Sequence, residues 1–182
     1  MKITPTEISD VLLFEPDIYE DERGYFMETF RSSYFRQRGI DLEFVQENQS
    51  QSKIGTLRGL HYQLRFPQGK LVRVTNGRVF DVAVDLRRSS KTFGSWIGKI
   101  LSSENKKQLW IPPGFAHGFL VLSETAEVFY KCTEYYHPEH DHSVLWSDPD
   151  LAIEWPLQGL EPTLSEKDRA AKVLSEALVY CD

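Results

Sequence analysis

Lys70-Leu71-Val72-Arg73-Val74-Thr75-Asn76-Gly77-Arg78-Val79-Phe80-Asp81-Val82-Ala83-Val84-Asp85-Leu86 is the stretch that decides the fold class. Two runs rich in β-branched residues flank Asn76-Gly77, and an Asn-Gly pair suits the positive φ that both central residues of a type I′ turn require. The expectation is a hairpin that joins residues 70–75 to residues 78–86. With a side-chain period of two, Phe80, Val82, Val84 and Leu86 share one face of the second strand, and Asp81 and Asp85 fall on the other.

Working outward, the same punctuation by turn residues marks strands at 25–30, 44–50, 57–64, 96–101, 108–111, 115–122 and 127–136. Helical signals are confined to 32–38, which runs into Gly39 as a natural C′ residue, and to 165–178. In the latter, Leu164, Val173, Leu174 and Leu178 are consistent with one apolar stripe. The sequence therefore predicts an all-β, antiparallel sandwich or barrel with short peripheral helices and a C-terminal helix. At 182 residues, with no internal repeat, low-complexity tract or linker, residues 1–182 read as one domain. An apolar content of 41% supplies a core, and a net charge of −6 argues against nucleic acid or a membrane surface as partner. The longest apolar run near the N-terminus, Val11-Leu12-Leu13-Phe14, is too short for a secretory signal or a span. Two cysteines, Cys132 and Cys181, make no disulfide framework, so a reducing cytoplasm is expected.

Several polar residues share faces with apolar ones. Lys70 alternates with Val72 and Val74, Glu28 with Phe26 and Phe30, His117 with Phe119 and Val121, and Tyr130 with Val128 and Cys132. Each has an ordinary explanation: a lysine reaching solvent from a strand end, a tyrosine bonded to a carbonyl, or a glutamate paired with Arg23 or Arg31 at a rim. Their recurrence on successive strands points instead to a polar ligand cavity inside the barrel, since an unpaired buried charge is costly.

Pro112-Pro113-Gly114-Phe115-Ala116-His117 joins a tight turn to a strand, a motif of cupin barrels in which the histidine often binds metal. In the matching His-x-His position the chain reads His61-Tyr62-Gln63, so two histidines alone leave a metal short of ligands. The cluster His137-Pro138-Glu139-His140-Asp141-His142 reads as an exposed loop and is assigned no metal. Arg58 and His61 are three apart, so strict alternation separates them; a bulge or bend at Gly59 would bring both toward one site.

On these motifs the chain resembles the dTDP-4-dehydrorhamnose 3,5-epimerases, cupin enzymes of dTDP-L-rhamnose biosynthesis. The likeness runs from Asp21-Glu22-Arg23-Gly24 to Ser165-Glu166-Lys167-Asp168. It is carried by Arg58-Gly59-Leu60-His61-Tyr62-Gln63, Gln68-Gly69-Lys70-Leu71-Val72-Arg73, Ile111 to Phe119 and Tyr130-Lys131-Cys132-Thr133 with Tyr135-Tyr136. The resemblance implies a cupin jelly-roll, His61 as general base, Asp168 as its orienting carboxylate, and Tyr130 as the acid on the opposite face. It puts Lys70 beside the sugar C4 oxygen and His117 among the substrate contacts. Arg23, Phe26, Glu28, Gln46, Glu47, Asn48 and Arg58 match nucleotide-sugar contacts, Tyr136 matches an aromatic that stacks on thymine, and Asp141 and Lys167 occupy further binding positions. Family members often carry glutamate where this chain has Asp141. On its spacing alone Asp168 reads as a helix-capping carboxylate; only the resemblance makes it a partner of His61.

The chemistry the resemblance implies suits these side chains. Protons at C3 and C5 of a 4-keto sugar are acidic because their loss gives an enolate on the C4 oxygen, so inversion needs a base and an acid on opposite faces of the ring and no metal, flavin or nicotinamide. The expected partners are a dTDP-4-keto-6-deoxysugar and a second copy of the chain. The alternatives are an epimerase acting at one carbon, a metal-dependent cupin oxygenase, which Gln63 disfavours, and a sugar-nucleotide-binding cupin without catalysis.

Overall fold

The computed structural model describes residues 1–181. Along the chain run β1 (Lys2–Pro5), β2 (Leu12–Glu15), β3 (Ile18–Asp21), β4 (Gly24–Met27), the one-turn helix α1 (Ser32–Arg36), β5 (Gln46–Lys53), β6 (Leu57–Gln63), β7 (Lys70–Asn76), β8 (Arg78–Asp85) and β9 (Trp96–Ser102). They are followed by β10 (Gln108–Ile111), β11 (Phe115–Val121), β12 (Thr125–Cys132), β13 (Asp141–Ser143) and the helical turn α2 (Glu166–Arg169). One sheet has the order β1-β2-β10-β7-β12-β5, the facing sheet the order β13-β6-β11-β8-β9, and β3 with β4 forms a separate ribbon. All pairings between these strands are antiparallel. The all-β expectation is met, and the strands expected at 44–50, 57–64, 96–101, 108–111, 115–122 and 127–136 have counterparts in β5, β6, β9, β10, β11 and β12. The strand expected at 25–30 is shortened to β4, and β1, β2, β3 and β13 lie outside the expected set. Each of those is only three or four residues long, too short for alternation to mark it.

The hairpin expected at Asn76-Gly77 does not form. β7 pairs with β10 and β12, whereas β8 pairs with β9 and β11, so the two runs belong to opposite sheets. Gly77 has φ +74°, but Asn76 stays out of the left-handed region, and a type I′ turn needs both. The bend is instead a corner between layers: the Gly77 carbonyl accepts from the Ser103 amide (2.9 Å), and the Arg78 amide donates to Ser123 Oγ (2.8 Å). A Cβ on Gly77 would lie 2.1 Å from the Thr125 carbonyl oxygen.

Three layers of apolar packing follow. Between the sheets lie Val72, Val74, Val79, Ala83, Val121 and Val128, among others. Under α1, on the outer face of the first sheet, Phe35 packs with Leu12, Phe14, Leu71 and Trp110. Phe80, Val82, Val84 and Leu86 face a third layer on the outside of the second sheet, closed by the C-terminal segment. Asp81 and Asp85, on the other face, are fully buried.

The C-terminal helix expected over 165–178 is also corrected. Only α2 and a 3-10 turn at Leu174–Glu176 are helical. Between and beyond them the chain is tied to the segments that follow β8 and β13 of the second sheet: the Tyr180 amide donates to Leu86 O, the Arg88 amide to Tyr180 O, and the Leu145 amide to Lys172 O. Val179 is buried in the outer layer, with Leu174 and Ala177 packed against it, while Leu178 points to solvent. These tertiary contacts outweigh helix propensities of a few tenths of a kcal/mol per residue. Cys132 is buried and Cys181 exposed, both free. No described helix is long and apolar enough to cross a membrane.

Gly77→Ala is expected to lower the unfolding free energy by about 2–3 kcal/mol, because both its φ and its packing against backbone forbid a side chain. Gly39→Ala, at φ +72° with nothing within 4 Å of the added carbon, should lose only about 1–2 kcal/mol. Urea unfolding of the two variants checks the difference; equal losses would contradict the corner geometry.

Candidate active site

The site begins with a break in the alternation of β6. His61 stands opposite His117 and Arg58 opposite Phe119, so three steps on β6 match two on β11. The extra residue is accommodated where two glycines meet: a Cβ on Gly59 would lie 2.5 Å from Gly118 Cα, and one on Gly118 would lie 2.8 Å from the Arg58 carbonyl oxygen. Gly59 itself has φ +127°. A bulge of one residue moves every following side chain to the other face. Arg58 and His61 thereby serve one side of the strand, as the sequence suggested.

His61, Tyr62 and Gln63 of β6 then form one wall of a cavity of about 280 Å³, against Gln46 and Asn48 of β5, Lys70 of β7, Tyr130 of β12, and Gln68, Tyr136 and Asp141 from loops and β13. His61 comes from one sheet, and Lys70 and Tyr130 from the other.

His61 Nε2 lies 2.5 Å from Asp168 Oδ1, and Asp168 is 2% exposed. The carboxylate accepts the Nε2 proton, which leaves the lone pair on Nδ1. Asp168 Oδ2 accepts from Ser165 Oγ at 2.7 Å, and Ser165 caps α2 by accepting the Asp168 amide at 3.1 Å. Thus the capping motif and the histidine partnership coexist. Burial alone would raise the Asp168 pKa, but hydrogen bonds from His61, Ser165 and the Gly59 amide outweigh it and hold the carboxylate below its usual range. For His61 the balance runs the other way. Burial lowers its pKa below the ordinary imidazole value, helped by the charges of Lys167 and Lys70 and only partly offset by Asp168. Its resting state near neutrality is the free base.

Tyr130 is pushed above the ordinary phenol value, chiefly by burial, while the Arg58 charge pulls it back. It therefore rests protonated. Lys70 is pushed down, first by burial, with Cys132, Asp141 and Asp81 opposing. Among the described residues its ammonium makes no hydrogen bond or ion pair, so its donors are available to a guest. At the rim the Asp141 carboxylate accepts from the Tyr136 hydroxyl (2.8 Å) and from the Lys167 ammonium (2.5 Å). Gln46 Oε1 accepts from the Tyr136 amide, and Gln46 Nε2 donates to Asn48.

The other residues singled out in the sequence fall elsewhere. Arg58 is exposed, outside the cavity lining, and donates to Ser52 Oγ at 3.0 Å. His117 is buried behind the cavity, bonded to Asp81 Oδ2 at 2.9 Å. Glu47 alternates to the outer face of β5 and pairs with Lys131. Glu28 takes the rim alternative, paired with Arg31. Arg23 pairs with Asp21 on the β3–β4 ribbon, where Phe26 is 71% exposed. Arg23, Phe26, Glu28 and Glu47 do not line the cavity in this chain. Conversely, Gln63, Gln68 and Tyr62 line it without having been read as site residues, and Asp81, bonded to His117, acts electrostatically on Lys70. An aspartate amid valines in 79–84 was the available signal for Asp81. In the histidine-rich loop His137 stacks on Phe66 with centroids 4.5 Å apart, and among the described residues no three metal-ligating side chains converge.

Known proteins share this fold and much of this sequence. The family model described as dTDP-4-dehydrorhamnose 3,5-epimerase matches residues 5–176. A dTDP-4-dehydrorhamnose 3,5-epimerase of Pseudomonas aeruginosa is 57% identical over 97% of this chain and 98% of its own. The crystal structure of a dTDP-6-deoxy-D-glucose-3,5-epimerase of Legionella pneumophila in complex with dTDP-4-keto-L-rhamnose has a TM-score of 0.96 and 53% identity, and the match covers 100% of this chain and 98% of that one. A 3'-monoepimerase of Streptomyces bikiniensis, in complex with dTDP-quinovose, is more distant: TM-score 0.89, 37% identity, over 94% of this chain and 87% of that one.

In an NMR titration the His61 imidazole should protonate with a midpoint below the ordinary value of about 6.5. Asp168→Asn removes a contribution that raises the pKa, so the midpoint should fall further. A midpoint above 6.5 in the unaltered protein would mean that the carboxylate, not burial, governs the ring.

Proposed function

Because the chain belongs to the dTDP-4-dehydrorhamnose 3,5-epimerase family, we propose that its cavity binds dTDP-4-dehydro-6-deoxy-D-glucose and that His61 and Tyr130 exchange protons on opposite faces of the sugar. The chain is an isomerase of the cupin fold, and the product is dTDP-4-dehydro-L-rhamnose. The observation that carries the assignment of roles is the placement around one cavity of the His61 imidazole on one sheet and the Tyr130 phenol on the other, with Lys70, which has no partner among the described residues, on the phenol's side.

In the proposed sequence the His61 lone pair takes the proton from C5 or C3, and the C–H electron pair moves into an enolate on the C4 oxygen. The Asp168 carboxylate stabilises the imidazolium so formed, as in other His–Asp pairs. Lys70 donates to the enolate oxygen in a partly desolvated setting, where such a contact is worth roughly 2.7–4 kcal/mol of barrier. Tyr130 returns a proton to the opposite face, and the Arg58 charge eases the phenolate left behind. Proton exchange with solvent restores both groups before the second carbon reacts. The carbonyl of the substrate does what a cofactor would otherwise be needed for.

Binding away from the reacting carbons fixes the ring. We assign Tyr136 to the base, Gln46 and Asn48 to polar contacts, Asp141 and Lys167 to the rim, and Arg58 to the diphosphate. His117 shapes the floor through Asp81. Arg23, Phe26 and Glu28 act in this reading in the cavity of a second copy of the chain. A ribbon with Tyr19, Tyr25 and Phe26 all more than half exposed supports a homodimer that exchanges this arm, with Glu47 on the adjoining outer face. The whole forms one catalytic domain, and two free cysteines support the cytoplasm as its compartment. The likeness to a 3'-monoepimerase favours one second reading, inversion at a single carbon.

Turnover in D₂O separates the two, with deuterium expected at both C3 and C5 of the product; label at one carbon selects the second reading, and none removes both. His61→Ala and Tyr130→Phe should each lower kcat by roughly 10²–10⁴ with KM within a few-fold. Full turnover in either variant would strip that residue of its role.

A further inference from the structure

Gln63 occupies the strand position at which the sequence invited a metal-binding histidine, and the structure shows a different use for it. Its side chain is buried, and all three of its hydrogen bonds go to backbone: Nε2 donates to Phe66 O at 2.7 Å and Tyr135 O at 3.1 Å, and Oε1 accepts the His137 amide at 2.7 Å. One planar group thus holds the loop on both sides of Tyr136 and ties it to the turn after β6. The flanks are anchored independently, by Gln68 Nε2 on Glu134 O (2.9 Å) and by β13, whose Asp141 pairs with Gln63 itself. Phe66, held by the same amide, stacks against the His137 ring.

The chemistry at this position is restrictive. Two donors and an acceptor in one plane are what a carboxamide offers; a neutral imidazole has one donor and one acceptor, and a carboxylate has no donor. The residue between the clamped carbonyl and the clamped amide is Tyr136, whose ring is half exposed at the cavity mouth. We infer that Gln63 is a positioning residue for nucleotide recognition: its amide sets the backbone from Tyr135 to His137 so that the Tyr136 ring is presented, pre-ordered, to the base of the bound nucleoside diphosphate. This rests on the function proposed above and assigns specificity to a residue that touches none of the reacting carbons. Loss of the clamp charges the ordering of the loop against binding and leaves the chemistry on β6, β7, β12 and α2 in place.

The test compares Gln63→Leu, Gln63→Glu, Tyr136→Ala and the double variant Gln63→Leu/Tyr136→Ala, using kcat and KM on the keto sugar nucleotide and calorimetric affinity for dTDP alone. Gln63→Leu should raise KM and weaken dTDP binding by about tenfold or more while kcat stays within about twofold. The double variant should bind no worse than Tyr136→Ala, since the clamp acts through that ring. A folded Gln63→Leu with KM and dTDP affinity within twofold of the unaltered protein, a fall in kcat at constant KM, or losses that multiply in the double variant would each overturn the inference. If Gln63→Leu does not fold, Gln63→Glu carries the same test: it keeps the acceptor for His137 and lacks both donors, so an unchanged KM is decisive against the clamp. Absence of turnover by the unaltered protein would strike the epimerase reading, whereas the dTDP affinities test the clamp regardless.

Discussion

The site depends on a single point of contact between two backbones, where Gly59 of β6 meets Gly118 of β11 closely enough that neither can carry a Cβ. A strand presents alternate residues to alternate faces, and nothing in propensity relaxes that rule. Inserting one residue into β6 is what lets a cation at Arg58 and a base at His61 serve the same interior, three positions apart. It also sets the phase of Gln63, which must reach the loop over the cavity from inside the sheet. The requirement is steric before it is chemical: the bulge exists only because both partners of the crossing are glycine.

Around that crossing, burial dominates the electrostatics. The three groups given to the proton chemistry are all shifted toward their neutral forms, the imidazole and the ammonium downward and the phenol upward, with burial as the largest cause in each case. Those directions are what a base and an acid need to rest in complementary states. Asp168 is the exception, since burial opposes its charge and three hydrogen bonds restore it. The fixed Asp168 anion on Nε2 leaves Nδ1 as the side of the ring on which a proton is taken up.

Much of this architecture could be read from residues whose chemistry conflicts with their surroundings. Lys70 beside Val72 and Val74, and Tyr130 beside Val128, are polar side chains on apolar faces, and both line the cavity. What was not legible depends on partners distant in sequence. Asn76-Gly77 reports local backbone freedom, not which strand each arm will meet, so a corner looked like a hairpin. The stripe of Leu174 and Leu178 suited a helix, but the sheet face it covers offers backbone partners that hold the chain extended. Glu28, by contrast, takes the local pairing with Arg31 that the sequence offers as its ordinary explanation. Gln63 was noticed only as a missing ligand, because a glutamine that binds backbone leaves no mark on sequence pattern.

The corner at Gly77 has a consequence for how the molecule is assembled. β7 and β8 are made one after the other, yet neither can use the other as a template: β7 waits for β10 and β12, and β8 for β9 and β11. Loop-closure entropy must be met for several distant pairings before either layer acquires a buried face. A nascent chain emerging through Leu86 therefore carries the apolar faces of β7 and β8 uncovered until the second half of the polypeptide has left the ribosome, and folding is deferred toward the end of synthesis.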